Sequence, residues 1–189
     1  LVVWDPQNTR AGHYLVSDQQ HQQVAEKRIA GAQAAQLITA GDTIFFDCGT
    51  TIPFIINAIA EDLPFTAVCY SLNTFLALQQ KPAAKAILCG GEFHADNAIF
   101  TPLSSHIELD AICPDKAFIS AAAVDLTAGA TCFNFSEVGM KHRAMAQSQC
   151  AILVVDHSKF GQRRTACIGE LSRFATLVTD SPPAEGYLD

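Results

Sequence analysis

Thr43-Ile44-Phe45-Phe46-Asp47-Cys48-Gly49-Thr50-Thr51 decides how this chain folds, because an apolar run ends there abruptly in a carboxylate, a glycine and two hydroxyls. Ile44, Phe45 and Phe46 are strand formers with no polar face, as expected of a strand covered on both sides. Gly49 permits close backbone approach, and Thr50 or Thr51 can cap the helix predicted from Ile52-Pro53-Phe54-Ile55-Ile56. Pro53 suits a first turn, where its missing N–H would be orphaned anyway. Free N–H groups at such a helix start favour an anion. Taken alone, the stretch reads equally as an ordinary capped strand-to-helix turn and as a phosphate loop.

Working outward, the same pattern recurs. Strands are predicted at Thr66-Ala67-Val68-Cys69-Tyr70, Lys85-Ala86-Ile87-Leu88-Cys89, Lys116-Ala117-Phe118-Ile119-Ser120, Ala151-Ile152-Leu153-Val154-Val155 and Ala175-Thr176-Leu177-Val178. Polar or glycine-rich residues follow nearly every one. In an open parallel sheet these C-terminal ends meet along one crevice, where ligands bind. A helix over residues 20–39 is announced by the capping box Ser17-Asp18-Gln19-Gln20, with Val24, Gly31, Ala35 and Ile38 on one face. Its small residues suit close packing on a sheet. A further helix follows Asn73, and another starts near Ser136. Two segments interrupt the alternation: a loop at Phe93-His94-Ala95-Asp96-Asn97 followed by a helical piece over 104–111, and a short antiparallel excursion over 126–133. Leu1-Val2-Val3-Trp4 reads as an edge strand or the stub of a linker. The fold class is α/β, with a doubly wound, mostly parallel sheet.

A chain of 189 residues, 49% hydrophobic, can bury a full core. No run approaches the roughly 20 apolar residues of a membrane span, and no export signal is visible, so a cytoplasmic protein without membrane contact is expected. Seven cysteines without C-x-x-C spacing and six histidines without a two-on-one-face pattern point to reduced thiols and no metal site. A net charge of −7 argues against these residues gripping a nucleic-acid backbone by themselves.

The strand ends collect Asp47, Gly49, Thr50, Thr51, Ser71, Asn73, Gly90, Gly91, Ser120, Asp125, Asp156, Ser158 and Lys159. Lysine and amide N–H groups bind phosphate while Asp and Asn bind hydroxyls, a mixture that suits a phosphorylated polyol. Glu137 and Lys141, spaced i,i+4, can point into the crevice or support each other as an exposed pair, the commoner arrangement for such residues alone. Neither G-x-G-x-x-G after a strand nor a P-loop is present, and no cofactor is implied. Cys48 reads as a buried structural thiol, since no histidine is placed to serve as its base. His157 is expected to face away while its neighbours face in.

Phe46-Asp47-Cys48-Gly49-Thr50-Thr51, Tyr70-Ser71-Leu72-Asn73, Cys89-Gly90-Gly91-Glu92-Phe93, Gly129-Ala130-Thr131-Cys132-Phe133-Asn134 and Val155-Asp156-His157-Ser158-Lys159-Phe160-Gly161 resemble, in this order, the sensor domain of DeoR-family bacterial transcription repressors. The resemblance implies a sheet related to ribose-5-phosphate isomerases, deoxyribose 5-phosphate as inducer, and operator DNA read by an N-terminal winged helix-turn-helix. That basic unit is absent here, so residues 1–16 are expected to be linker and 17–189 the effector-binding domain of a homo-oligomer. Carried over, Gly49, Thr50 and Thr51 hold the phosphate with Lys159, while Asp47, Asn73, Asp125, Glu137 and Lys141 surround the sugar. Ser71, Gly90, Gly91 and Ser120 complete the expected site. A sugar-phosphate isomerase using Glu137 or Asp125 as base is the alternative. The isomerases place their catalytic lysine before their glutamate, whereas here Glu137 precedes Lys141.

Overall fold

The computed structural model describes residues 21–187. The expected Leu1–Trp4 segment and the Ser17–Gln20 capping box lie outside them. The central sheet has six parallel strands: β1 (Thr43–Phe46), β2 (Phe65–Cys69), β3 (Ala84–Leu88), β6 (Lys116–Ser120), β9 (Cys150–Val154) and β11 (Thr176–Val178). Their spatial order is β11-β9-β6-β1-β2-β3, so strands are added in one direction from β1 to β3 and in the opposite direction from β6 to β11. That reversal is the topological switch point of a doubly wound sheet.

Alternation along β1 shows why both faces must be covered. Ile44 and Phe46 enter one core, with α1 (Val24–Ala35), α2 (Ile52–Ala58) and α3 (Leu72–Leu78), whereas Phe45 enters the other. The second core is closed by α4 (Phe135–Gln147) and by a small antiparallel sheet of β7 (Ala123–Asp125), β8 (Gly129–Cys132) and β10 (Ala166–Gly169). The β7–β8 excursion is as expected; β10, a four-residue strand with Cys167 exposed, gave too short a pattern to read.

α1 is shorter than expected; of the expected face Gly31 and Ile38 are buried and Ala35 packs against the core, and the exception is Val24. It starts after Gln23, whose φ of 52° is left-handed and ends helical geometry there. Val24 is exposed, and the buried face is Lys27, Ala30, Gly31 and Ala34. Gly31 packs on α2 rather than on the sheet: a Cβ there would stand 2.7 Å from the Phe54 carbonyl carbon. The expected loop around residue 95 is instead a hairpin of β4 (Glu92–His94) and β5 (Ile99–Thr101), fastened by the Phe93 and Phe100 rings 5.2 Å apart. The helical piece over 104–111 reduces to a 3-10 turn, Glu108–Ala111. Among the described residues, no helix is long and apolar enough to cross a membrane.

Candidate functional site

The switch point puts the ends of β1 and β6 side by side, and a cavity of about 350 Å³ opens there. Its volume is within the range of small-ligand sites. Of the residues expected at the site, Gly49, Thr50, Thr51, Ser120, Glu137, Lys141 and Lys159 line it. Asn73 lines a smaller cavity of about 240 Å³ that shares Gly49 and Thr50. The remaining five stand elsewhere. Ser71 is fully buried and its Oγ has no hydrogen-bond partner. Gly90 and Gly91 form the turn between β3 and β4, at the edge of the sheet. Asp125 spends its Oδ1 on the Thr127 and Ala128 N–H groups, 2.9 and 2.8 Å away, stabilising the β7–β8 turn.

Asp47, the fifth, lies beneath the cavity floor with no solvent exposure. Its Oδ1 accepts from the Tyr70 hydroxyl at 2.8 Å; its Oδ2 accepts from the Ser120 N–H and Oγ, both at 2.8 Å, and from Lys141 Nζ. A carboxylate so engaged does not receive a ligand. It holds Lys141 and Ser120 in position instead. Burial works to raise the Asp47 pKa, but the Lys141 charge and the hydrogen bonds from Lys141 and Ser120 outweigh it and hold the carboxyl below its usual range. Burial likewise works to lower that of Lys141, yet the Asp47 charge wins and raises it well above the ordinary lysine value.

Glu137 and Lys141 are both buried, so the exposed-pair arrangement is not the one adopted. α4 turns this face onto β6 and β8, and Lys141 Nζ also donates to the Ser120 carbonyl at 3.2 Å. Glu137 Oε2 stands 3.6 Å from Lys141, while Oε1 accepts from Asn134 at 2.8 Å and from Asn97 at 3.2 Å. Asn97 reaches the site from the β4–β5 hairpin, next to Ala98 with its φ of 52°.

Thr51 enters α2 with helical dihedrals and makes no side-chain cap, so the hydroxyl cap that the sequence suggested is not made at the N-cap. The turn closes instead through the Ile52 N–H donating to the Gly49 carbonyl at 3.0 Å. Cys48 is buried with its Sγ 3.1 Å from the Tyr70 hydroxyl; burial, reinforced by the Asp47 charge, pushes its thiol well above the ordinary value. Such a thiol is a poor nucleophile at neutral pH. His157 turns outward to Asp180, its Nδ1 2.8 Å from Oδ2, while Ser158 and Lys159 face the cavity. Lys159 Nζ is 3.8 Å from Asp156 Oδ2. Behind it, Lys27 of α1 is buried, and burial with the charge of Lys159 lowers its pKa to about 8. Arg164 and Gln162, from the segment leading into β10, complete the wall. Among the described residues no group of His, Cys, Asp or Glu gathers to hold a metal ion.

A switch-point cavity with a glycine-hydroxyl loop, an acid–amide cluster and several cations defines an α/β small-molecule-binding domain. Residues 22–181 match the family described as the DeoR C terminal sensor domain, and the chain belongs to that family. It is 54% identical over 187 residues to the deoxyribose operon repressor of Escherichia coli (strain K12), covering 99% of this chain and 73% of that protein. It is 30% identical over 170 residues to the glycerol-3-phosphate regulon repressor of the same organism, covering 88% and 66%. Among solved structures, ribose 5 phosphate isomerase A from Neisseria gonorrhoeae superposes with a TM-score of 0.51 at 17% identity, over 72% of this chain and 53% of the isomerase. The eIF2B delta chain from Chaetomium thermophilum superposes with a TM-score of 0.60 at 11% identity, over 85% and 59%. At such identities these two likenesses speak to the fold alone, which is the doubly wound sheet expected from the sequence.

Proposed function

We propose that this chain is the effector-binding part of a bacterial transcription repressor and that its cavity takes deoxyribose 5-phosphate. The observation that carries the reading is the placement of the Gly49–Thr51 loop and Lys159 on the same cavity wall as Glu137, Asn97 and Lys141. The loop and Lys159 offer N–H, hydroxyl and ammonium donors to a phosphate; Glu137 and Asn97 offer an acceptor and a donor to sugar hydroxyls. The 54% identity to a deoxyribose operon repressor supports the choice of sugar. Operator DNA is then read by a further unit joined through residues 1–16, in a cytoplasmic homo-oligomer, and the occupied cavity relieves repression by favouring one domain geometry.

Thermal melting tests the ligand. Deoxyribose 5-phosphate is expected to raise the melting temperature by mass action, and deoxyribose to do so far less because the anion site stays empty. Equal shifts from the two sugars would remove the phosphate from the argument.

Binding without conversion is part of this reading, although the isomerase fold keeps catalysis in view. Isomerisation needs a base free to take a carbon-bound proton. Glu137 Oε1 already accepts two amide N–H groups and Oε2 faces Lys141, so the carboxylate is committed. A 2-deoxy sugar also lacks the 2-hydroxyl that aldose-ketose isomerisation turns into a carbonyl. In heavy water, ribose 5-phosphate and deoxyribose 5-phosphate are expected to show no protein-dependent exchange at carbon 2 by NMR. Exchange that Glu137→Gln abolishes would establish the enzyme instead.

A further inference from the structure

Three cations line the cavity, and they differ in what neutralises them. Lys141 is engaged by Asp47 and faces Glu137. Lys159 has Asp156 at 3.8 Å. Arg164 has no carboxylate: among the described residues it takes part in no ion pair. It is nevertheless firmly placed. Its backbone N–H donates to Thr131 Oγ1 at 2.9 Å, its guanidinium lies 4.8 Å over the Phe133 ring, and its Nη2 donates to Gln162 Oε1 at 2.7 Å. Nη1 donates to the Arg163 carbonyl at 3.2 Å, and Nε is buried with no partner at all.

A guanidinium carries five N–H donors. Here they meet two acceptors, both neutral, and one ring face replaces water over the plane of the group. The buried Nε left without an acceptor costs free energy that nothing within the described residues returns. An anion arriving in the cavity does return it. Arginine's planar fork matches phosphate oxygens in pairs, and Lys159, whose Nζ stands 3.8 Å from its carboxylate partner, lines the same cavity. We infer that Arg164 is the second arm of the anion site, closing on the ligand's phosphate together with Lys159 and making the cavity selective for a phosphorylated sugar over a free one. The inference rests on the sugar-phosphate reading of the cavity. It adds to it a residue at the far end of the segment between β9 and β10, held at the cavity wall by Phe133 and Gln162.

Titration calorimetry on wild type, R164M, R164K and K159A tests the assignment. R164M keeps an unbranched stem over Phe133 but removes the charge, and is expected to weaken deoxyribose 5-phosphate by about 10- to 100-fold, as is K159A. R164K, which restores a point charge without the fork, is expected to lie between R164M and wild type. Wild-type affinity in R164M, or a loss in R164M that R164K does not partly restore, overturns the inference. If wild type fails to bind deoxyribose 5-phosphate, the sugar reading falls and inorganic phosphate becomes the deciding probe. Phosphate binding that R164M removes upholds Arg164 as an anion ligand; binding that R164M retains, or its absence in wild type, overturns it.

Discussion

Lys141→Ala is expected to destabilise the chain by about 3–5 kcal/mol, because it leaves Asp47 charged, buried and deprived of its counter-ion. Asp47 has no solvent exposure and Lys141 is 1% exposed, so water cannot take over the lost contact without opening the core. Truncation also removes the donor to the Ser120 carbonyl. Urea unfolding monitored by circular dichroism measures the loss; a change under about 1 kcal/mol, the range of exposed pairs, would show that the pair is solvated. The pH dependence supplies an independent sign. Asp47 is held below its ordinary value of 3.8, so its stabilisation is present above that pH and disappears as pH falls through the folded value. Lys141 is held above its ordinary 10.5, so its stabilisation is present below that pH and disappears as pH rises through the folded value. The two shifts describe one pair and are not added. In wild type the pair's contribution should therefore be flat between about pH 4 and 10, whereas in Lys141→Ala burial, no longer opposed by the lysine, raises the Asp47 pKa, so the difference between the two should grow as pH rises above about 4.

What the sequence made legible was topology and, with it, the location of the cavity. An apolar run without a polar face has to be a doubly covered strand, and polar residues repeated at successive strand ends have to meet on one edge of a parallel sheet. The residues it misplaced depend on distance and direction instead. Neighbouring strands are about 4.8 Å apart, so Gly90 and Gly91, after the edge strand β3, start roughly 10 Å from the end of β1. Asn73, one strand out, reaches only the smaller cavity. Asp125 looked like a ligand residue because it ends a strand, but that strand belongs to the antiparallel sheet and the carboxylate stabilises its turn. Asp47 was recognised as central, whereas its direction, downward onto Tyr70, Ser120 and Lys141, follows from packing that no local pattern encodes.

The same limit explains the residues that were overlooked. Asn97 enters through a hairpin whose strands have three residues each, too short to carry a period. Arg164 lies in a polar stretch that reads as solvent-exposed loop, and only the return of β10 against β8 brings it over Phe133. Its available signal was composition: Gln162-Arg163-Arg164 places two cations just after Lys159 in a chain whose net charge is −7. Lys27 sits on a helix face of alanines and glycine, where long charged side chains are ordinarily excluded.

Gly49→Ala is the second large effect expected, and it tests whether the cavity loop and the buried carboxylate form one unit. A Cβ at position 49 would stand 2.1 Å from Ser120 Oγ and 2.4 Å from Ser120 Cβ. Rotation of the hydroxyl relieves the first contact but not the second, and Ser120 cannot retreat freely because its N–H and Oγ both donate to Asp47 Oδ2. Either the Gly49–Thr51 loop moves out of the cavity wall or Ser120 releases a buried charge. Overpacking costs about 1–3 kcal/mol and an abandoned buried acceptor a similar amount, so the variant should lose about 2–4 kcal/mol. Ligand-induced stabilisation should fall with it, since the loop proposed to hold the phosphate is the part displaced. Ser120→Gly in the same chain removes both clashing atoms. The double variant should therefore be more stable than Gly49→Ala alone, although it lacks the hydroxyl bond to Asp47, giving a coupling that neighbouring sites show and distant ones do not. Simple additivity of the two losses would mean that Gly49 is required for some other reason and that the loop is free of the carboxylate beneath it.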